Sequence, residues 1–355
     1  MSMKKMIYDR LTGRETSLAV IGLGYVGVPV ALRFARCFDV VGYDMDARRI
    51  EKLREKYGAG CGSIRFTSLE EELSRAAFYI VTVLTPVDER KNPDLTCLVE
   101  ATRTVARYLK RGDYVVYEST VYPGCTEEVC VPLLEKGSGL KLGADFKVGY
   151  SPERINPNDS EHTFSNTAKI VSANDGQALD EVARVYAEVV AADLCRASGI
   201  RVAEAAKMTE NVQRSVNIAL MNELQRLFSR MGIDMGEVID MASSKWNFVK
   251  YRPGLGGGHC IPVDPLYLVS AASKLGVEMP VTSSGCAVND GMAAYVVRSL
   301  LGAMGSDGRG ARALLMGVTY KENIDDIRNS RIAEMVGLLE REGMSVDVTD
   351  PHADP

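Results

Sequence analysis

The sequence predicts an α/β protein that begins with a parallel sheet covered by helices, continues with a helical segment and ends with one more β-α-β unit. Three observations carry this prediction. A glycine-rich turn joins an apolar run to a helical pattern near residue 20, helical periodicity runs unbroken over 201–231, and strand and helix patterns alternate again after residue 312. A chain of 355 residues is long enough for roughly two or three domains.

Strand and helix patterns alternate through the first part of the chain. Ser17–Ile21 is a short apolar run, helical spacing follows it, and a second strand is expected over Asp39–Tyr43. Three further strands are expected, at Phe78–Leu84, Asp113–Glu118 and Lys147–Tyr150. This alternation predicts a parallel sheet with helices on both faces.

A long helix is expected next. Arg201–Met231 contains no Gly or Pro and keeps its apolar residues at helical spacing. At 1.5 Å per residue, its roughly 30 residues would span about 45 Å. Gly232 supplies a stop signal. Such a helix can join two domains and offer a face to a second subunit.

The end of the chain repeats the first pattern on a smaller scale. Arg312–Val318 starts a strand, Ser330–Glu342 is helical in pattern, and Met344–Thr349 alternates like a strand. A single β-α-β unit leaves its sheet edges bare. The last domain is therefore expected to be partial.

The composition excludes several classes of protein. Apolar residues make up 46% and charged residues 25% of the chain, as in an ordinary folded protein. The net charge of −5, with no basic stripe, argues against nucleic-acid binding. No apolar run reaches the roughly 18 residues of a membrane span, and no secretory signal precedes the first strand, so a cytoplasmic protein is expected.

The eight cysteines and three histidines do not form a metal or disulfide pattern. No CxxC pair occurs, which argues against a zinc site and against a disulfide scaffold. Most of the cysteines are expected to be reduced, buried and unreactive. His162 and His352 are expected on the surface.

The glycine turn has the spacing of a dinucleotide-binding fingerprint. Gly22-Leu23-Gly24-Tyr25-Val26-Gly27 follows a strand and opens a helix. The first glycine permits the tight turn, the second lets backbone approach a pyrophosphate, and the third allows close helix–strand packing, so a Rossmann domain is expected. A glycine turn without a ligand is the alternative.

An acidic residue follows at the distance this fingerprint requires. Asp44 lies 20 residues after Gly24, at the end of the second expected strand. Its carboxylate would accept hydrogen bonds from the adenosine ribose hydroxyls and repel a 2′-phosphate, which favours NAD over NADP. Arg48 either contacts the adenosine or is simply solvated.

One cysteine lies in a different sequence setting from the others. Cys260 follows His259 in PGLGGGHCIPVDP, where three consecutive glycines leave it reachable. A nucleophilic cysteine needs access and a stabilised thiolate. Asp264 could orient a group near the sulfur. A buried cysteine in a glycine loop is the alternative.

Three more polar residues are candidates for a site. Lys207 and Asn211 are four residues apart on the expected long helix and share a face, where a cation and an amide donor suit an oxyanion or a phosphate. An ordinary polar helix face is the alternative. Glu153 follows a strand in a Pro- and Asn-rich loop, as a general base or as an ordinary loop residue.

Taken together, these segments resemble the UDP-glucose/GDP-mannose dehydrogenase family of nucleotide-sugar 6-dehydrogenases. The resemblance runs from about residue 17 to residue 355. It rests on motifs in the family's order: IGLGYVGVP, the Thr85-Pro86 turn, EST at 118–120, SPERINP at 151–157, AEAAKMTEN at 203–211, NIALMNE at 217–223, PGLGGGHCIPVDP at 253–265 and GVTYKENIDDIRNS at 317–330.

The resemblance implies three domains and a reaction. The domains would be an NAD-binding Rossmann domain over 1–198, a central helical dimerisation domain over 199–297 and a partial UDP-binding domain over 298–355. The reaction would be a two-step, four-electron oxidation of a sugar C6 alcohol to a carboxylate by two NAD⁺, in a homodimer formed through the long helix. The family usually has a longer stretch between Lys52 and Phe66 and usually continues well beyond the position of Pro355.

The resemblance also implies roles for single residues. Cys260 would be the nucleophile that forms a thiohemiacetal and then a thioester, and Glu153 would activate the hydrolytic water. Lys207, Asn211 and Asp264 would stabilise or relay charge at C6. Thr120 would hold water or cofactor near the site. The implied cofactor contacts are Gly22, Gly24, Tyr25, Val26, Gly27, Asp44, Arg48, Thr85, Pro86 and Thr120. The implied substrate contacts are Glu153, Arg154, Lys207, Asn211, Arg252, Gly257 and Lys321. No metal is expected.

The motif around the cysteine bears on the sugar. Enzymes for UDP-glucose typically carry GGSCFPKD, whereas GGHCIPVDP resembles the branch that acts on UDP-N-acetylhexosamines. SPERINP favours the gluco or galacto configuration over manno. The alternatives are UDP-ManNAc or UDP-glucose as substrate, a β-hydroxyacid-type dehydrogenase, and an NAD-binding protein inactivated by an incomplete last domain.

Overall fold

The structure is a computed structural model and describes residues 5–58, 62–154, 161, 163–258, 260–305, 307–322 and 326–353. The chain divides into two units. The first unit consists of Met1–Asp88 and Pro93–Met208, and the second of Glu89–Asn92 and Thr209–Pro355. The three domain boundaries expected from the sequence stay a prediction, and His162 and His259 lie outside the described residues.

The first unit is built on an eight-stranded sheet. The strands are β1 (Ser17–Ile21), β2 (Val40–Tyr43), β3 (Ile64–Thr67), β4 (Ala76–Val81), β5 (Tyr114–Tyr117), β6 (Lys147–Tyr150), β7 (Lys169–Ala173) and β8 (Leu194–Arg196). They lie in the order β3-β2-β1-β4-β5-β6-β7-β8. This order begins as in a Rossmann fold and confirms the predicted α/β class.

One pair of strands departs from the expected parallel arrangement. β6 and β7 are antiparallel, whereas the other neighbouring pairs of the sheet are parallel. Parallel neighbours need a long crossover connection, usually a helix, but antiparallel neighbours can be joined by a loop. The Pro- and Asn-rich SPERINP segment follows β6 and does not have the pattern of a crossover helix.

Helices cover the sheet and bury its central strands. They are α1 (Ile7–Thr12), α2 (Gly27–Phe34), α3 (Ala47–Tyr57), α4 (Thr96–Tyr108), α5 (Val131–Ser138) and α6 (Gly176–Ala187), with a 3-10 helix at Glu70–Arg75 and a π-helical turn at Thr126–Cys130. All six residues of β4 are buried, as expected for a strand covered on both faces. β4 ends at Val81 rather than at the predicted Leu84, because its partner β1 ends opposite it at Ile21.

The second unit is helical and ends in a small parallel sheet. The helix α7 (Ile200–Met231) has 32 residues and continues from the first unit into the second, as the uninterrupted pattern predicted. It is followed by α8 (Met235–Ala242), α9 (Asp264–Lys274), α10 (Pro280–Asp290), α11 (Met292–Met304), β9 (Arg312–Met316), α12 (Arg331–Arg341) and β10 (Ser345–Thr349). β9 and β10 pair in parallel, which confirms the predicted β-α-β unit. Within the described ranges, none of the helices has a stretch long and apolar enough to cross a membrane.

Buried amides tie the glycine-rich segment of the second unit to its helices. Asn222 on α7 donates to the Gly254 carbonyl oxygen at 3.1 Å and accepts from the Gly254 N–H at 2.8 Å. Its amide also donates to Asn289 Oδ1 at 2.9 Å, and Asn289 donates to the Ser215 carbonyl oxygen at 3.0 Å. The start of the segment that leads to Cys260 is therefore held by both of its backbone polar groups.

The expectation that most cysteines are buried is wrong. Of the seven described cysteines, only Cys125 and Cys130 are buried. Cys97 is exposed on α4, and Cys195 is exposed on β8, which is the outermost strand of the sheet. Burial of these residues depends on helix facing and on strand order, which residue type alone does not specify. His352 is exposed, as predicted.

Candidate functional site

The glycine turn of the first unit is closely packed at Gly22 and Gly27, and it has open space beside Gly24. Gly22 has φ of 91°, a conformation that favours glycine. A Cβ on Gly27 would lie 1.9 Å from the Gly22 carbonyl oxygen, so only glycine allows α2 to begin there. Among the described residues, the nearest atom to a Cβ on Gly24 would be an Arg49 guanidinium nitrogen at 3.8 Å. A phosphate could therefore approach the N–H groups at the start of α2.

Asp44 is fastened beside this turn at the end of β2. Its Oδ2 accepts a hydrogen bond from the Leu23 N–H at 2.8 Å, and its Oδ1 accepts one from the Asp46 N–H at 3.0 Å. An ionised carboxylate has about four acceptor positions, so capacity remains for hydroxyl donors. The Arg49 guanidinium lies 3.4 Å from Oδ2. Sequence reasoning singled out the exposed Arg48 and missed Arg49, because two adjacent arginines are distinguishable only once α3 is placed.

Other predicted cofactor contacts lie at the same edge of the sheet. The Thr85 hydroxyl, after β4, donates to the carbonyl oxygen of Thr120, after β5, at 2.7 Å. Both threonines are half-buried, whereas Pro86 and Tyr25 are exposed. These segments follow the carboxyl ends of strands, where open α/β sheets bind their ligands.

Glu153, after β6, is buried and held at both carboxylate oxygens. Its Oε2 accepts from Lys169 Nζ at 2.9 Å, and its Oε1 accepts from the Arg154 N–H at 2.7 Å. Lys169 also donates to Glu118 Oε2 at 3.0 Å. The Arg154 guanidinium donates to the Ala168 carbonyl oxygen at 2.8 Å. Sequence reasoning missed Lys169 and Glu118, although a lysine opening the otherwise uncharged strand KIVSA was an available signal.

Lys207 lies on the part of α7 that belongs to the first unit and, unlike Lys169, is not paired with a described carboxylate. It is 7% exposed. Within the described part of the chain, its ammonium has no hydrogen-bond acceptor and no ion-pair partner. A cation on a side chain with so little exposure has little water around it, and a ligand oxygen carrying negative charge would supply a partner.

In the second unit, three predicted residues are joined. Asn211, one turn after Lys207 on α7, donates its side-chain amide to Asp264 Oδ2. Asp264 is 2% exposed and opens α9, and its N–H donates to the Cys260 carbonyl oxygen at 2.9 Å. Cys260 itself is exposed. Asp264 therefore connects the amide on α7 to the turn that carries the cysteine.

The glycines before the cysteine are required by an aromatic side chain packed on them. Gly258 has φ of 83°, and a Cβ there would lie 2.6 Å from the Tyr320 ring. A Cβ on Gly257 would lie 3.0 Å from Tyr320 Cβ. Asn329 donates its amide to the Gly258 carbonyl oxygen at 3.1 Å. The segment after β9 thus holds the backbone two residues before the cysteine.

The remaining predicted substrate contacts are accessible. Lys321 follows Tyr320 and is half-buried, and its carbonyl oxygen accepts from the Thr319 hydroxyl at 3.0 Å. Arg252 is exposed, with its guanidinium 3.8 Å from Asp240 Oδ1. Among the described residues, no group of three or more His, Cys, Asp and Glu side chains is placed to hold a metal ion.

The turn after β9 is built like the turn after β1. Asp350, at the end of β10, accepts hydrogen bonds from the N–H groups of Val318 at 2.7 Å and Thr319 at 3.2 Å. Together with the His352 N–H, these bonds lower the pKa of Asp350 to about 2. Asp44 binds the Leu23 N–H in the same way. Both ends of the chain therefore use an acidic residue after one strand to fix the turn after its neighbour.

Three consecutive regions match sequence models of one family. Residues 16–190 match the NAD binding domain of the UDP-glucose/GDP-mannose dehydrogenase family, residues 201–291 its central domain and residues 314–355 its UDP binding domain.

Individual proteins give similar results. The chain is 47% identical to a UDP-N-acetyl-D-glucosamine 6-dehydrogenase of Pseudomonas aeruginosa, over 95% of this chain and 83% of that protein. It is 45% identical to a protein of the same name from Salmonella typhi, over 96% and 83%. The structure of a UDP-D-ManNAc dehydrogenase from Pyrococcus horikoshii superposes with a TM-score of 0.87 at 31% identity, over 95% and 84%.

Replacing Gly258 should disturb the segment that carries Cys260. Gly258→Ala places a Cβ against the Tyr320 ring and strains a backbone with positive φ, and we expect a loss of about 1–3 kcal/mol in the free energy of unfolding. The rate at which iodoacetamide alkylates Cys260, followed by peptide mass spectrometry, should also change. Gly254→Ala is the matched control, since a Cβ there meets no described atom within 4 Å. Equal stability and equal Cys260 alkylation in both variants would contradict the packing described here.

Proposed function

The chain belongs to the UDP-glucose/GDP-mannose dehydrogenase family, and from that membership we propose that this NAD-dependent nucleotide-sugar 6-dehydrogenase oxidises the C6 alcohol of UDP-N-acetylglucosamine to the uronic acid. The observation that carries the choice of sugar is the identity of 45–47% to two proteins named for that substrate, against 31% to the mannosamine enzyme. The GGHCIPVDP motif supports the same choice.

The glycine turn and Asp44 fit the cofactor. The open side of Gly24 leaves room for a pyrophosphate at the start of α2, and Asp44 keeps acceptor capacity for the adenosine ribose. NAD⁺, when bound, accepts a hydride from C6 in each of the two oxidations. We further assign Arg48, Thr85, Pro86 and Thr120 to the surroundings of the cofactor.

We assign Cys260 as the nucleophile of the second oxidation. Its sulfur attacks the C6 aldehyde carbon, and the thiol proton passes to the aldehyde oxygen, which gives a thiohemiacetal. Loss of the second hydride and of the hydroxyl proton then gives a thioester, so the aldehyde is not released. The exposure of Cys260 supports this role, because a nucleophile must be reachable.

We assign Glu153 as the base of the hydrolysis. It accepts a proton from water as the water oxygen bonds to C6, and the C–S bond then breaks to release Cys260 as a thiolate and the sugar as a carboxylic acid. The acid then loses its proton to solvent and becomes the carboxylate. The unpartnered ammonium of Lys207 suits the oxygen on which negative charge develops, and Asn211 is the amide donor in the same proposal. Arg154, Arg252, Gly257 and Lys321 remain proposed contacts of the UDP-sugar.

Purified protein should form two NADH per molecule of UDP-N-acetylglucosamine. Cys260→Ala should abolish the four-electron product, because the aldehyde is no longer trapped. Glu153→Gln should release a burst of NADH and then slow by about 10² to 10⁴-fold, because loss of a general base has effects of this size. NADH absorbance and intact mass spectrometry follow the burst and the adduct on Cys260.

Three comparison substrates distinguish the proposed activity from the alternative substrates and from a different class of dehydrogenase. UDP-N-acetylmannosamine, UDP-glucose and a 3-hydroxy acid serve as comparison substrates under the same conditions. Faster oxidation of one of these would replace the proposed substrate, and no oxidation of any would contradict the activity. Uronic acid formed by Cys260→Ala would contradict the covalent step alone.

Asp44 should make the protein bind NAD(H) more tightly than NADP(H), because a 2′-phosphate would meet its carboxylate. Asp44→Asn keeps an acceptor for the Leu23 N–H but removes the charge. This variant should therefore have a smaller difference in affinity between NAD(H) and NADP(H) than the unaltered protein. Fluorescence titration with both cofactors measures the ratio, and equal affinities in the unaltered protein would remove Asp44 from the cofactor site.

We also propose that the protein is a homodimer formed through α7. Leu220, Leu227 and Met231 are 49%, 51% and 59% exposed and recur at helical spacing on one face. Leu227→Glu should therefore lower the molar mass measured by light scattering from that of a dimer to that of a monomer. A monomeric unaltered protein would contradict the proposal.

A further inference from the structure

Lys169 is buried and contacts two carboxylates, although one would be enough to neutralise its charge. Its side chain is 3% exposed, and its ammonium donates to Glu118 at 3.0 Å and to Glu153 at 2.9 Å. The ammonium also lies 4.7 Å from the centre of the Phe164 ring. Buried cations need such partners, but one carboxylate would already neutralise this one.

The second carboxylate shares the Lys169 ammonium with the first. Burial raises the pKa of Glu118 to about 7, the Lys169 ammonium lowers it, and the like charge of Glu153 adds to the rise. The Tyr186 hydroxyl, from α6, donates to the other oxygen of Glu118. Burial alone would lower the pKa of Lys169, but the two carboxylates raise it above its ordinary value. Lys169 therefore stays a cation while the carboxylates compete for it.

A cluster of this kind contributes little to stability compared with apolar side chains of the same volume. Perturbed, buried ionisable groups instead concentrate at functional sites. Glu153 is the most accessible of the three charged residues, at 9% against 2% for Glu118 and 3% for Lys169, and it follows β6 at the carboxyl edge of the sheet. Glu153 is therefore the member of the cluster that a ligand can reach most easily.

We propose that Lys169 is a positioning residue for Glu153, and that Glu118, which accepts a hydrogen bond from Tyr186, holds Lys169 in turn. An opposite charge at hydrogen-bond distance favours the ionised form of Glu153, which is the form that accepts a proton. Lys169 fixes Oε2 while the Arg154 N–H fixes Oε1. The inference rests on the proposed function, because it gives Glu153 its role in hydrolysis.

The pH dependence of hydrolysis distinguishes positioning from simple support of the fold. Lys169→Met removes the cation, so the acid limb of the rate of uronate release should move to higher pH by about 1–3 units. Lys169→Arg keeps the charge and should restore most of the original profile. Rapid-quench measurement in a single turnover with UDP-N-acetylglucosamine gives the rate.

Lys147→Met is the matched control. Lys147 lies on the adjacent strand β6 and pairs with Asp175 at 2.7 Å, so its loss should leave the acid limb unchanged. If Lys169→Met does not fold, Lys169→Gln, which keeps a polar side chain, carries the same expected shift.

The outcomes separate this inference from the proposed function. The inference is overturned if Lys169→Met or Lys169→Gln leaves the acid limb at the pH found for the unaltered protein. It is also overturned if Lys169→Arg, which keeps the charge, shifts the limb as far as the neutral variants do. If the unaltered protein makes no uronic acid, the proposed activity is contradicted. If Glu153→Gln hydrolyses the thioester as fast as the unaltered protein, the proposed role of Glu153 is contradicted, whatever the Lys169 variants show.

Discussion

Parallel strands that end along one edge of a sheet bring the polar groups after them into one row. In the first unit, the glycine turn follows β1, Asp44 follows β2, and Glu153 follows β6 at this edge. The central strand β4 is apolar and entirely buried, so it offers no room for charged groups along its length. The geometry of the cofactor turn and of Glu153 follows from this arrangement, and so does the need to bind each polar group to a partner.

Two buried lysines of the first unit show how differently such partners are supplied. Lys169 has two carboxylates and two aromatic rings around it, whereas Lys207 has no acceptor among the described residues. A cation saturated by the protein can act only through its neighbours. A cation without a protein partner is available to a ligand oxygen. This difference is the basis for proposing a positioning role for Lys169 and a binding role for Lys207.

The second unit controls one short segment of backbone by packing. Asn222 holds Gly254 at the start of the glycine-rich segment, and Tyr320 and Asn329 hold Gly258 near its end. The cysteine that follows is thus carried on a restrained backbone, and its side chain is exposed. Restraint of the backbone and exposure of the sulfur are both needed if the cysteine is to meet a substrate carbon in a defined direction.

Local pattern was sufficient for seven of the strands and for the longest helix, but it did not predict β3, β7 and β8. Spacing of apolar residues and the absence of Gly and Pro predicted α7 within one residue, and the glycine spacing predicted the turn between β1 and α2. These features depend on backbone geometry over a few residues, which the spacing of residue types along the chain predicts. Only the tertiary structure decided that β7 runs antiparallel to β6, that Arg49 rather than Arg48 contacts Asp44, and that Lys169 joins Glu118 to Glu153 across 51 and 16 residues of chain. Such contacts depend on strand order and register, which are set by how the whole sheet packs and are encoded by no local repeat.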